Sequence, residues 1–361
     1  MRTDLFDFFL PDERIALRPC TPRDSAKLLV VHPDNNDFIE RYVRDLPEFL
    51  TTGDTVVVND TKVIPSSLAA LRLRGDLSAK VDLNLIKNID DKKWRAFARP
   101  LKRLKPGDVL RFYDQQTHSL SPLCEATIEK KLDDGEVEII FNISDENLKG
   151  VLGQIGLMPL PPYISLKRPV DTSDFENYQT IFAKSYGAVA SPTASLHFTS
   201  ELISVLKSKG VSIEFITLHV GAGTFLPVKT EDTENHKIHS EWAQITKETA
   251  QNLNHTRKQG GRIIAIGTTV MRTLETSTDD NGIIKEWSGE TSLFIKPGYK
   301  FKSTDILMTN FHLPKSTLFM LVSAFSGLQK MHSAYSFAIK NNYRFYSYGD
   351  ACLLFLARGG K

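Results

Sequence analysis

The sequence predicts an α/β protein, a mixed or mostly parallel sheet with helices, interrupted by an inserted small β-barrel. Two patterns carry that prediction. Past residue 150, helical and strand-like stretches alternate, the order that builds parallel strand pairs. Between Leu68 and Phe141 the chain reads as short strands separated by turn pairs, the spacing of a small barrel. At 361 residues it is long enough for two domains. The expected division is 1–61 with 150–361 for the α/β domain and 62–149 for the barrel.

The elements follow in order. Thr55 to Asn59 is an apolar strand entered through the turn signal Gly53-Asp54. The barrel strands are expected at Leu68 to Leu73, Val81 to Ile86, Trp94 to Ala98, Val109 to Tyr113, Cys124 to Lys130 and Val137 to Phe141. Met158-Pro-Leu-Pro-Pro-Tyr163 is a stiff connector. Thr199 caps a helix that Gly210 ends, and Val211 to Val220 is a buried strand. Thr246 opens a helix running to about Gln259, and Arg262 to Ile266 is the next strand. Gly267-Thr268-Thr269 then turns into a helix from Val270 to Ser277, with both threonines able to cap it. Pro314 suits a first helical turn, which places Lys315, Ser316 and Thr317 at a helix N-terminus where an anion is favoured.

Composition excludes little. With 41% hydrophobic and 24% charged residues the chain is an ordinary globular protein. A net charge of +2 neither demands nor excludes nucleic acid. Three cysteines, far apart and without Cys-x-x-Cys, fit reduced thiols and not a disulfide framework or zinc site. Acids near the N-terminus oppose a signal peptide, and no apolar run approaches a membrane span. A cytoplasmic protein, monomeric and away from membranes, is expected.

Several segments can carry chemistry. His219-Val-Gly-Ala-Gly-Thr-Phe225 follows a strand, and Gly221 and Gly223 permit close backbone approach, with Thr224 beside them. It is not a dinucleotide fingerprint, because Leu226 fills the third glycine slot. Thr268 and Thr269 lie where ligands meet α/β sheets, and Arg272, one turn on, can grip a carboxylate or phosphate bidentately. Ile238-His239-Ser-Glu241-Trp242 gathers an acid/base pair with an indole. His236 and His239 have metal spacing but no third ligand, so no metal is expected. Ala188 to Thr199 combines small residues with Thr193 and His197. The densest basic stretch holds Arg95, Arg99, Lys102, Arg103 and Lys105 with Trp94 and Phe97 interleaved, a pattern suited to a nucleic-acid backbone or to a solvated barrel edge.

Taken together, the chain resembles the S-adenosylmethionine:tRNA ribosyltransferase-isomerase family of queuosine biosynthesis. The resemblance rests on Gly53 to Pro65, Tyr178 to Ala183, Ser191 to Thr199, Thr217 to Phe225, His239 to Trp242, Gly267 to Arg272, Asn310 to Thr317 and Tyr343 to Asp350. The sequence departs from the family pattern at Ser66-Ser67, Ser191, Ser195, Met271 and Cys20.

The resemblance implies transfer of the ribosyl part of S-adenosylmethionine to the aminomethyl group of a 7-deazaguanine (preQ1) at the tRNA wobble position. Epoxyqueuosine, adenine and methionine result. S-Adenosylmethionine is then a consumed co-substrate, with no permanently bound cofactor. A methyltransferase or a non-catalytic tRNA-binding protein are the competing readings, and the first lacks the glycine-rich loop of that fold.

Proton removal beside the sulfonium needs a base, and the opened sugar needs hydrogen-bond donors. His219 or His312 is the expected acid/base, with His239 and Glu241 also available and Lys315, Ser316 and Thr317 stabilising negative charge. Arg272 and Thr268 are expected to hold the methionine carboxylate. Asp60, Thr61 and Lys62 would face the base or the tRNA backbone. Asn310, Tyr348 and Asp350 complete the candidate substrate site.

Overall fold

The computed structural model describes residues 1–35, 37–133, 135–221, 230–236, 238 and 240–357. The chain opens with strands β1 (Lys27–Val31), β2 (Ile39–Tyr42), β3 (Thr55–Asn59) and β4 (Thr61–Val63). Then come β5 (Ser67–Arg74), β6 (Leu77–Asn88), β7 (Lys93–Arg99), β8 (Val109–Tyr113), β9 (Leu120–Lys131) and β10 (Glu136–Phe141). After them run α1 (Asp145–Ile155), β11 (Gly156–Leu157), the short helices α2 (Pro162–Ser165) and α3 (Asp174–Asn177), and β12 (Ser185–Ala188). The remainder is α4 (Ser200–Ser208), β13 (Ser212–Leu218), β14 (Glu241–Ile245), α5 (Lys247–Lys258), β15 (Ile263–Ile266) and α6 (Thr268–Ser277). It closes with β16 (Trp287–Thr291), β17 (Ile306–Asn310), α7 (Thr317–Ser326), α8 (Leu328–Lys340) and β18 (Ala351–Phe355).

Two compact units result. One is 1–61, 179–185 and 191–361; the other is 62–178 and 186–190. Residues 150–178 group with the barrel strands because β11 pairs with β5 and α1 packs on β9.

The first unit is built on a nine-stranded sheet ordered β16-β14-β13-β3-β15-β17-β18-β1-β2. Its centre, β13-β3-β15-β17, is parallel. β3, β15 and β17 are buried along their whole length, which is why they read as continuous apolar runs and not as alternations. One face packs Val56, Val58, Ile264, Ile266 and Met308 against Leu202 and Leu206 of α4. Because the central strands run the same way, Asn59, Leu218, Ile266 and Asn310 all end on one edge, the usual ligand crevice of such sheets.

The second unit is a closed antiparallel barrel, β5-β6-β7-β10-β9-β8, with β8 returning to β5. Alternation turns Leu68 and Ala70 of β5 and Trp94, Ala96 and Ala98 of β7 inward. Phe112 and Phe141 stack with centroids 5.6 Å apart. Ser144 caps α1 by accepting from the Asn147 amide.

Thr199 and Thr246 cap α4 and α5 through their hydroxyls, as the sequence indicates. Two helix starts differ. α6 begins at Thr268, and the cap position is Gly267, at φ 97° and ψ 150° with no side-chain cap bond. Thr268 and Thr269 therefore sit in the first turn and do not cap it. α7 begins at Thr317, not at Pro314. Lys315 is left-handed (φ 54°), which no helical residue can be, and its amide donates to the Phe6 carbonyl.

Candidate active site

The crevice at the carboxyl ends of the central strands is organised first by Asn59, wholly buried at the end of β3. Its Nδ2 donates to the Leu218 carbonyl at 2.9 Å, and its Oδ1 accepts from the amides of Leu218 (3.0 Å) and Thr61 (3.1 Å). The side chain thus replaces ladder bonds where β3 and β13 separate. Asp60 follows, accepting from the hydroxyls of Thr217 (2.7 Å) and Ser185 (3.2 Å). Thr61 lies 2.8 Å from His219 Nδ1 and donates to the Ser185 carbonyl at 3.4 Å.

His219 leaves β13 into this frame. Its amide donates to the Trp242 carbonyl, and its ring stacks on the Trp242 indole, 5.1 Å between centroids and 21° between planes. Burial pulls the imidazole pKa below its usual value, opposed by the nearby Asp60 charge. The ring is neutral at pH 7. A hydroxyl has one proton, and the Ser185 carbonyl can only accept it. When Thr61 donates there, His219 Nδ1 is the donor and Nε2 keeps its lone pair.

Beside it, Arg272 of α6 meets Glu241 of β14, Nη1 to Oε2 at 2.6 Å, both buried. Glu241 Oε1 also accepts from the Gly221 amide at 3.0 Å, and Arg272 Nε donates to the Leu293 carbonyl at 3.2 Å. Arg272 is thus committed to an internal carboxylate and does not present an open bidentate fork. Its Nη2 is buried without a hydrogen-bond partner among the described residues.

A second network sits on β17. Asn310 Oδ1 accepts from Thr193, so its Nδ2 faces His197 Nε2 at 3.2 Å. Since Nδ2 can only donate, His197 Nε2 must accept, and the ring is neutral. Burial lowers its pKa to about 4. Burial also lowers the pKa of His312 to about 3; its Nε2 is 3.2 Å from the Thr309 hydroxyl and its amide donates to Tyr335. Neither imidazole accepts a proton near neutral pH.

The remaining candidates are spread wider. Ser316 caps α7, accepting from the Phe319 amide and donating to the Leu313 carbonyl, so its hydroxyl is used by the fold; Thr317 is the first helical residue. Lys315 Nζ pairs with Asp7 at 2.8 Å. Asp350 is buried and takes the Arg344 side chain and amide and the Lys27 amide, an internal anchor. Tyr348 is buried. Lys62, in the barrel unit, lies over the Tyr186 ring. Gly223, Thr224 and His239 lie outside the described residues.

On β7, Arg95 pairs with Glu138, which Lys130 also reaches, and Trp94 points into the barrel with Nε1 on Asp145. Of the two aromatics in the basic stretch, only Phe97 therefore shares the outer face with Arg95 and Arg99. Lys102, Arg103 and Lys105 are exposed. Asn59 is a site residue that the motifs do not single out. Its signal is an asparagine closing an apolar strand directly before Asp60-Thr61.

Among the described residues no cluster of His, Cys, Asp and Glu could hold a metal ion. No helix of the described residues is long and apolar enough to cross a membrane.

Comparison with known proteins agrees over nearly the whole length. The model of the family described as "Queuosine biosynthesis protein" matches residues 3–354. An Afipia carboxidovorans protein named "S-adenosylmethionine:tRNA ribosyltransferase-isomerase" is 54% identical over 359 residues, 99% of each chain. A protein of the same name from Agrobacterium fabrum is 53% identical over 363 residues, 98% of this chain and 99% of its own. The crystal structure of an S-adenosylmethionine tRNA ribosyltransferase from Thermotoga maritima is 34% identical, covers 97% of this chain and 99% of that one, and superposes with a TM-score of 0.53. With a family model spanning residues 3–354 and relatives above half identity end to end, the chain belongs to the queuosine biosynthesis protein family.

Proposed function

We propose that the crevice around Asn59, Thr61 and His219 binds S-adenosylmethionine and transfers its ribosyl group to a tRNA base. The reaction is the ribosyl transfer and isomerisation of queuosine biosynthesis. The acceptor is the 7-aminomethyl group of preQ1 at the wobble position. The new bond forms from that nitrogen to a ribosyl carbon, and the ribosyl unit rearranges to an epoxycyclopentanediol as its bonds to adenine and to sulfur break. One proton leaves beside the sulfonium and one from the amine nitrogen, adenine takes up one, and adenine and methionine leave with one net proton released. S-Adenosylmethionine is consumed, and no permanently bound cofactor is required. The enzyme acts as a cytoplasmic monomer on its tRNA.

His219 carries this reading. A neutral imidazole, oriented through Nδ1 and stacked on an indole, presents Nε2 as a base at neutral pH. It is the fitting group to take the proton beside the sulfonium. His312 and His197 hold the β17 end rigid and do no proton transfer. Arg272 Nη2 and the Thr268 and Thr269 hydroxyls receive the methionine carboxylate, with Glu241 fixing the guanidinium. Lys315, released from Asp7, meets oxyanions of the opened sugar.

Single-turnover adenine release on preQ1-bearing tRNA tests the assignment. Near-normal release by His219→Ala would remove His219 as base. Product identity tests the reaction class. Free adenine with methionine marks ribosyl transfer, S-adenosylhomocysteine marks methylation, and neither marks binding alone.

A further inference from the structure

The barrel holds an arginine that the described residues leave in part unsatisfied. β5 turns Leu68, Ala70 and Arg72 onto one inward row, and Arg72 is only 7% exposed. Its Nε and Nη1 are buried with no hydrogen-bond partner among the described residues. Asp108, a buried carboxylate within range of its charge, is already used. Asp108 Oδ1 accepts from Arg74 Nε at 2.6 Å, and Oδ2 from Arg74 Nη2 at 2.6 Å and the Lys105 amide at 2.8 Å.

The same hydrogen bonds bring cations to this end of the barrel. Arg74 Nη2 also donates to the Arg103 carbonyl at 3.1 Å, and buried Leu104 pins the turn that exposes Lys102, Arg103 and Lys105. Arg72 pairs in register with Leu110 of β8, two residues beyond Asp108. A buried guanidinium with unmet N–H groups is unfavourable unless something outside the fold completes it. Its charge requires an anion, and its planar fork matches phosphate. Exposed lysine and arginine around it suit a polyanionic backbone better than a small free ion.

We infer that Arg72 anchors one RNA backbone phosphate at the barrel end closed by the 101–105 turn. The inference rests on the reading of the chain as a tRNA-modifying enzyme. An approaching phosphate draws the guanidinium toward the turn, where its N–H groups find oxygen acceptors. Lys102, Arg103 and Lys105 then track neighbouring phosphates.

The test is fluorescence anisotropy of labelled tRNA with the full-length protein across a salt series, beside thermal unfolding. Arg72→Met is expected to bind about tenfold more weakly, and its slope of log affinity against log salt to fall by about 0.7–0.9 for the single phosphate it no longer neutralises. Its unfolding midpoint stays unchanged or rises, because the charge removed was buried and unpaired. Arg72→Lys keeps the charge, so it retains the wild-type slope and regains part of the affinity. Wild-type affinity and slope in Arg72→Met would overturn the anchor alone, as would a lowered midpoint with Arg72→Lys binding no better than Arg72→Met. Wild-type protein that binds no tRNA would overturn both this inference and the functional reading under it.

Discussion

Arg272 and Glu241 form a buried ion pair, 2.6 Å from Nη1 to Oε2, that joins the first turns of α6 to the start of β14. Taking either partner away removes the counter-charge of this pair from a buried group. Glu241→Gln or Arg272→Met is expected to cost about 3–5 kcal/mol, whereas the double variant should recover most of that loss. Urea denaturation of the two single variants and the double variant measures it. Additive losses would show that the two groups act separately.

For His219, the depressed pKa fixes the sign of a pH effect. A base works unprotonated, so with His219 in the proposed role kcat/KM holds at neutral pH and falls as pH drops through a value below the usual histidine range. His219→Ala should lower single-turnover adenine release by about 10²- to 10⁴-fold and abolish that acid limb. A limb unchanged in the variant would assign it to another group.

Acid should unfold this protein through its buried histidines. His197 and His312 titrate at about 4 and about 3 in the folded chain. In the unfolded chain both titrate near ~6.5, so below that pH the unfolded state binds more protons. Stability is therefore full above pH ~6.5 and is lost as pH falls toward 4, with a limiting slope of roughly two protons. Urea midpoints from pH 7 to 4, compared between wild type and His312→Gln, give the measurement; the variant should lose about one proton of slope.

Gly267 holds a backbone conformation, φ 97° and ψ 150°, that is essentially reserved for glycine. An added Cβ meets Ala194 Cβ at 3.5 Å and the Thr269 hydroxyl at 3.8 Å, ordinary contacts, so the cost of alanine there is backbone strain and not a clash. Gly267→Ala should destabilise by about 1–3 kcal/mol. It should also raise the KM for S-adenosylmethionine by displacing Thr268 and Thr269. Steady-state kinetics beside thermal unfolding separates the two effects.

The two architectures are legible because each leaves a different period in the chain. Buried parallel strands read as unbroken apolar runs at Val56 to Val58 and Ile263 to Ile266, and barrel strands alternate, as from Lys93 to Arg99. Hydroxyl caps at Thr199 and Thr246 are local signals, and the structure has both. The starts of α6 and α7 fall elsewhere than expected because each depends on one residue's φ. Gly267 and Lys315 take positive φ where the chain must turn, and neighbouring side chains do not announce that.

Sequence by itself determined the fold class and the family, since these follow from local periodicity and short motifs. Tertiary structure alone decided what each group is free to do. Arg272 became half of an internal pair, Ser316 a cap and Asp350 an anchor, because partners distant in sequence or brought round by a turn supply their counter-charges and hydrogen bonds. The same packing made His312 and His197 neutral and rigid, and placed His219 between Thr61 and Trp242. Burial and pairing are properties of position in space, and residue spacing along a chain does not encode them directly.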